Sequence, residues 1–115
     1  MSAPLRVLDL FSGIGGFALG LERTGGFQTA AFCEVADFPR RVLAKHWPEV
    51  PCYADIRDLT ATRLVRDGIS VDVVCGGFPC QPFSTASRGR RVAFDFWPEM
   101  YRVVGELRPE YVIAE

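Results

Sequence analysis

Short apolar runs alternate along this chain with stretches in which apolar positions recur at helical spacing. Leu5 to Leu10 reads as a strand. Gly16 to Glu22 reads as a helix that stops at Gly25-Gly26, where glycine tolerates a left-handed turn. Phe27 to Cys33 reads as a second strand. Asp37 is placed to cap a helix running to His46, with Pro39 in its first turn, Pro48 beyond its end, and Phe38, Val42, Leu43 and Trp47 on one face. A short third strand is expected at Cys52-Tyr53, then a weak helix from about Leu59 to Arg66, closed by a turn at Asp67-Gly68. Val71 to Cys75 reads as the fourth strand. Trp97, Met100, Tyr101, Val104 and Leu107 fall at helical spacing, and Trp97, Met100 and Tyr101 read as core packing; Pro109 stops that helix, and Tyr111 to Ala114 starts a fifth strand.

Strands alternating with helices in this way predict an α/β fold built on a parallel, doubly wound sheet with right-handed crossovers. No helix follows the fifth strand, although a parallel sheet needs both faces covered and an exposed edge strand invites aggregation. The expectation is the N-terminal part of a longer chain or one half of a split protein, of marginal stability and low activity by itself.

Composition narrows this picture little. At 115 residues the chain is one domain or part of one. Its 49% hydrophobic and 23% charged residues argue against disorder, and a formal net charge of −1 gives no global attraction to a polyanion, so nucleic-acid binding would depend on local basic clusters. The cysteines Cys33, Cys52, Cys75 and Cys80 match neither a zinc pattern nor a compact disulfide framework, which fits a reducing, cytoplasmic compartment and no metal. The N-terminus lacks the basic flank of a leader peptide, and no segment approaches the ~20 apolar residues of a membrane span. His46, a lone histidine without ligand partners, reads as a surface residue.

Two loops carry the candidate chemistry. Gly76-Gly77-Phe78-Pro79-Cys80-Gln81-Pro82-Phe83-Ser84 places a thiol on a Gly/Pro loop directly after an apolar strand, where a side chain can face a ligand. Cys80 is a candidate nucleophile there, or an inert structural cysteine. Gly13-Ile14-Gly15-Gly16 sits where the first strand turns into the first helix, and glycines let the backbone come close to a ligand at a helix N-terminus. Glu34 follows the second strand about 20 residues on, where a carboxylate accepts from ribose hydroxyls in dinucleotide folds. Asp55 follows the third strand and could accept from an adenine amino group. Together these fit an adenosine-containing cofactor. Each also has a plainer reading, a tight turn for the glycines and a solvated charge or cap for each acid. The glycines do not form a clean G-x-G-x-x-G, so a nicotinamide-dependent oxidoreductase is a weak match. Arg88, Arg90 and Arg91 read either as phosphate contacts or as a solvated charge cluster.

These residues resemble the DNA (cytosine-5-)-methyltransferase family. Asp9-Leu10-Phe11-Ser12-Gly13-Ile14-Gly15-Gly16-Phe17 is similar to the family's S-adenosylmethionine motif, and Gly77 to Ser84 to its catalytic Pro-Cys-Gln loop. Arg108 to Glu115 is similar to the approach to its Glu-Asn-Val motif. The resemblance covers nearly the whole chain and implies a Rossmann-like methyltransferase fold, truncated after the fifth strand, with the target recognition domain absent. It implies S-adenosyl-L-methionine as cofactor, held by Phe11, Gly13, Ile14, Gly15, Gly16, Glu34, Val35, Asp55, Ile56 and Pro79, with Phe96-Trp97 lining the same pocket. It implies double-stranded DNA as partner, with Gln81, Ser84, Arg88, Arg90 and Arg91 at the DNA and restriction-modification or a phage system, in a bacterial cytoplasm, as the setting. It implies Cys80 as the nucleophile that adds to cytosine C6, so that C5 can take the methyl group, and Glu115 as hydrogen-bond partner of the base at N3 and its amino group. The alternative within the resemblance is a non-catalytic S-adenosylmethionine-binding module, or one subunit of a split enzyme completed by a C-terminal chain. Val92-Ala93-Phe94-Asp95 departs from the Asp-x-Arg-Gly that the family often carries, so that cofactor contact is not carried over.

Overall fold

The structure is a computed structural model that describes residues 3–77 and 98–114. Its strands are β1 (Leu5–Leu10), β2 (Phe27–Cys33), β3 (Cys52–Tyr53), β4 (Val73–Gly76) and β5 (Tyr111–Ala114). The helices are α1 (Gly16–Arg23), α2 (Asp37–His46), α3 (Ala61–Arg66) and α4 (98–107), with a 3-10 turn at Ile56–Asp58. All neighbouring strands pair in parallel, in the order β3-β2-β1-β4-β5. The chain thus starts mid-sheet, walks to one edge, and crosses back to build the other half, the doubly wound arrangement expected from the alternation of elements.

The centre of the sheet is apolar on both faces, as a parallel sheet covered on both sides requires. Val7, Val73 and Cys75 pack with Phe17 and Leu21 of α1, while Phe32 packs with Ala18 of α1, with Leu43 of α2 and with Trp47 just beyond its end. On the opposite face Leu8, Leu10, Ala31 and Val74 meet Ile56, Leu59, Leu64, Met100 and Val103. One irregularity interrupts the ladder: Val7 pairs with Thr29 but Leu8 with Ala31, so β2 carries one extra residue.

Several elements differ from the sequence expectation for identifiable reasons. The helix expected from about Leu59 to Arg66 starts at Ala61, and a separate 3-10 turn at Ile56–Asp58 precedes it. Asp55 caps the 3-10 turn by accepting from the Arg57 N–H, and Thr60 caps α3 by accepting from the Arg63 N–H, which leaves Leu59 between the two as a buried spacer. β4 begins at Val73 rather than Val71, because Asp72 is committed elsewhere: its carboxylate accepts from the Arg6 N–H at 2.9 Å and its carbonyl from the Glu110 N–H at 2.8 Å. Asp37 does not cap α2. Ala36 holds that position, and Asp37 instead pairs with Arg41 one turn on, at 3.4 Å. Phe38 is 65% exposed and Tyr101 73% exposed, so neither belongs to the core; Val103 takes the buried place on α4. His46 is exposed, as expected.

Candidate functional site

Three consecutive strands of the sheet end side by side, and the chain beyond each carboxyl end carries a candidate ligand group. Beyond β1 the backbone turns sharply. Phe11 (φ 54°), Gly13 (φ 56°) and Gly15 (φ 92°) all lie in the left-handed region. Phe11 is the residue for which that conformation is costly, the kind of backbone strain that gathers at ligand sites. Ser12 staples the turn: its Oγ donates to the Asp9 carbonyl at 2.6 Å and its N–H to the Cys33 carbonyl at 3.2 Å. The N-cap residue of α1, Gly15, offers no side-chain cap to the N–H groups of the first turn. A Cβ at Gly13 would meet nothing within 4 Å, which leaves open space over the loop, and Ile14 beside it is exposed.

Beyond β2, the Glu34 carboxylate bridges two loops. One oxygen accepts from the Gly13 N–H at 2.7 Å and the other from the Ala36 N–H at 2.8 Å. The acid expected to contact a ribose therefore also ties the glycine loop to the end of β2. Val35 next to it is 69% exposed and presents apolar surface to solvent. Beyond β3, Asp55 accepts from the Arg57 backbone N–H at 2.9 Å and forms an ion pair with its guanidinium at 2.8 Å. Those hydrogen bonds hold its carboxyl well below the usual range, at about 2. Ile56 buries its side chain, and its carbonyl accepts from Arg102 of α4 at 2.7 Å; the same guanidinium reaches the Leu59 carbonyl at 3.1 Å. Phe11, Gly13, Ile14, Gly15, Gly16, Glu34, Val35, Asp55 and Ile56 thus line one edge of the sheet, across β1, β2 and β3.

The residues that brace this edge escaped the sequence reading. Arg102, Arg57 and the Trp47–Glu22 pair carry no motif signal, because each acts through contacts that only the folded chain creates. Asp9 is a fourth. It is 1% exposed, on the α1 face beside Cys75, whose thiol donates to Oδ1 at 3.5 Å; among the described residues Oδ2 has no partner. Burial pushes its carboxyl up to about 7. The same burial raises the Cys75 thiol far above its ordinary range and the Cys33 thiol to about 12, so neither is a nucleophile near neutral pH.

Cys80, Pro79, Gln81, Ser84, Arg88, Arg90, Arg91, Phe96 and Trp97, together with Glu115, lie outside the described residues. Gly76 pairs with Ala114 at the carboxyl ends of β4 and β5. Among the described residues no group of three or more His, Cys, Asp or Glu could hold a metal ion, and no helix is long and apolar enough to cross a membrane.

Comparison with known proteins converges on one family. The family model described as C-5 cytosine-specific DNA methylase matches residues 5–115. The type II methyltransferase M.HgiBI of Herpetosiphon aurantiacus is 37% identical over 115 residues, covering 96% of this chain and 25% of that protein. This chain spans about a quarter of the length of such curated relatives. A prophage-encoded protein of E. coli, described as a DNA modification methyltransferase, superposes with a TM-score of 0.76 at 32% identity, over 96% of this chain and 31% of its own. The S. pombe Dnmt2 methyltransferase superposes with a TM-score of 0.70 at 23% identity over 97% of this chain and 34% of its own, a likeness of fold alone.

Proposed function

The chain belongs to the C-5 cytosine-specific DNA methylase family, and from that premise we propose that residues 1–115 form the cofactor-binding and catalytic-loop part of an enzyme that methylates cytosine C5 in DNA. The observation that carries this reading is the shared edge. A glycine loop, two carboxylates and the chain leading to Cys80 all leave the carboxyl ends of adjacent parallel strands, where open α/β sheets bind their ligands.

The residues fit S-adenosylmethionine. Glu34 and Asp55 present carboxylate acceptors for ribose hydroxyls and an adenine amino group, Val35 and Ile14 offer exposed apolar surface for the purine, and the space above Gly13 is free of side chains. When bound, the cofactor supplies a methyl group on a sulfonium centre. Glu34 orients the ribose while keeping Gly13 in place. Asp55, already ionised by its Arg57 partner, accepts from the adenine over the whole neutral range.

Cytosine C5 is a weak nucleophile toward that methyl group. In the proposed reaction the Cys80 thiolate bonds to C6, which pushes electron density onto C5. Glu115 hydrogen-bonds N3 and the amino group of the base and favours that flow of electrons into the ring. C5 would take the methyl group as its bond to the sulfonium sulfur breaks, leaving a neutral thioether; the C5 proton would then pass to a base, and its bonding electrons would re-form the C5–C6 double bond as the Cys80 thiolate leaves C6. The target atom is buried in a duplex, so the base must be flipped out, with Gln81, Ser84, Arg88, Arg90 and Arg91 as the DNA-contacting groups. A type II restriction-modification setting in a bacterial or phage system follows from the relatives' names, and the bases recognised would be read elsewhere in the whole protein.

Calorimetry with S-adenosylhomocysteine tests the cofactor half. Binding that weakens at least about tenfold in Glu34→Ala supports it; tight NAD binding with no S-adenosylhomocysteine affinity overturns it. DNA carrying 5-fluorocytosine tests the catalytic half, because fluorine in place of the C5 proton blocks the release step. A covalent complex with the enzyme that Cys80→Ala abolishes is the expected result, and a complex that survives the substitution removes Cys80 from the mechanism.

A further inference from the structure

The Trp47 indole lies against the glycine loop. A Cβ built on Gly15 would stand 2.6 Å from Trp47 Cζ3, 2.8 Å from Cη2 and 3.0 Å from Leu43 Cδ2. The ring therefore touches the backbone of a residue at φ 92°, whose carbonyl accepts the Leu19 N–H at 2.9 Å as α1 begins. The ring is itself held on three sides. It packs edge-on against Phe32 at 5.2 Å between centroids. Its backbone N–H donates to the Leu43 carbonyl at 2.7 Å. Its indole N–H donates to both oxygens of Glu22, at 3.0 and 3.2 Å. Glu22 also accepts from the Thr29 N–H at 3.1 Å, beside the extra residue of β2.

The glycine loop needs such a wall. Glycine residues have the widest choice of backbone conformations, and holding them in a ligand-ready shape costs entropy that must be met before or during binding. Glu34 fixes Gly13 from one side. From the other side, Trp47 contacts the loop at Gly15, with Leu43 next to it.

We propose that Trp47, oriented by Glu22, is a positioning residue that sets the shape of the 11–16 loop and, through it, the affinity for S-adenosylmethionine. The inference rests on the reading that this loop holds the cofactor. It predicts local effects, because Trp47 and Glu22 brace the loop from just beyond α2 and from α1 without lying at the open face above Gly13.

The test compares wild type with Trp47→Phe, Trp47→Leu, Glu22→Gln and Glu22→Leu in two measurements. Amide hydrogen exchange is followed at Gly13 and Gly15 relative to the core amides of Leu8 and Val74, and S-adenosylhomocysteine affinity is followed by calorimetry. In Trp47→Leu and Glu22→Leu the loop amides exchange about tenfold faster relative to the core amides, and affinity falls by a comparable factor. Trp47→Phe, which keeps a ring, and Glu22→Gln, which keeps an acceptor for the indole, recover most of both. A purely structural role would speed core and loop amides alike and overturns the proposal, as does a loosened loop with unchanged affinity. Failure of the cofactor reading is distinct: wild type then binds no S-adenosylhomocysteine even though the loop amides respond. Silent loop amides in a chain that binds S-adenosylhomocysteine overturn the Trp47 role alone.

Discussion

At Gly15 the left-handed backbone costs an L side chain about 1–2 kcal/mol, and a methyl group there would also press on Trp47 at 2.6 Å. Gly15→Ala is therefore expected to destabilise the chain by about 2–4 kcal/mol in urea unfolding. Gly13 has a similar backbone conformation but open space, so Gly13→Ala carries only the backbone part and should cost roughly half as much. Equal losses at the two positions would show that the Trp47 contact is slack. Asp9 gives a second residue-scale expectation, in pH. Its folded-state pKa is raised to about 7 from 3.8, so the folded form holds a proton that the unfolded chain gives up more easily. Stability is then fullest below about pH 4 as far as this group is concerned, and it declines as pH rises toward 7, by about 4 kcal/mol at most. Asp9→Asn keeps an acceptor for the Cys75 thiol and removes the charge. Its melting temperature should be flat between pH 4 and 7 as far as this group is concerned, where that of wild type falls, and a parallel fall in both proteins would remove Asp9 as the cause.

At the scale of elements, α4 works as a clamp on the turn that carries Asp55 and Ile56. Arg102 donates to the carbonyls of Ile56 and Leu59 while paired with Glu99 and Glu106, and Glu106 also accepts from the Ala61 N–H at the start of α3. Removing the guanidinium leaves two carbonyls and two carboxylates without their shared donor. Arg102→Met is expected to cost about 1–3 kcal/mol in urea unfolding, and Arg102→Lys should recover little, since an ammonium lacks the planar fork that reaches several acceptors at once. Full recovery by lysine would reduce the clamp to a point charge. This clamp also marks where the sequence stops being legible. β1, β2 and α1 announce themselves through continuous apolar runs and a glycine turn, because local pattern and burial agree there. The split between the 3-10 turn and α3 does not, because it depends on Thr60, Asp55 and a guanidinium 46 residues away in sequence. Glu34 and Asp55 were legible as strand-end acids; that Glu34 also ties down Gly13, and that Arg57 occupies Asp55, follows only from the folded geometry.

Across the whole molecule, the doubly wound order follows from right-handed crossovers once the strands are known, and it brings the carboxyl ends of β1, β2 and β3 side by side. It also places β5 at the rim, where Tyr111 and Val112 are exposed and, among the described residues, β4 is its single strand neighbour. Among the described residues no strand pairs with the outer side of β5, and a strand edge with apolar neighbours that is left uncovered pairs readily with another chain. The 115-residue chain is accordingly expected to self-associate as its concentration rises, with sedimentation velocity showing a shift in mean mass over a hundredfold range. Val112→Lys puts a charge on that rim where the native side chain already meets solvent, so it should suppress association without lowering the melting temperature. Association that persists unchanged in Val112→Lys would move the contact away from β5, with the exposed Phe38 and Val65 as the next surfaces to probe.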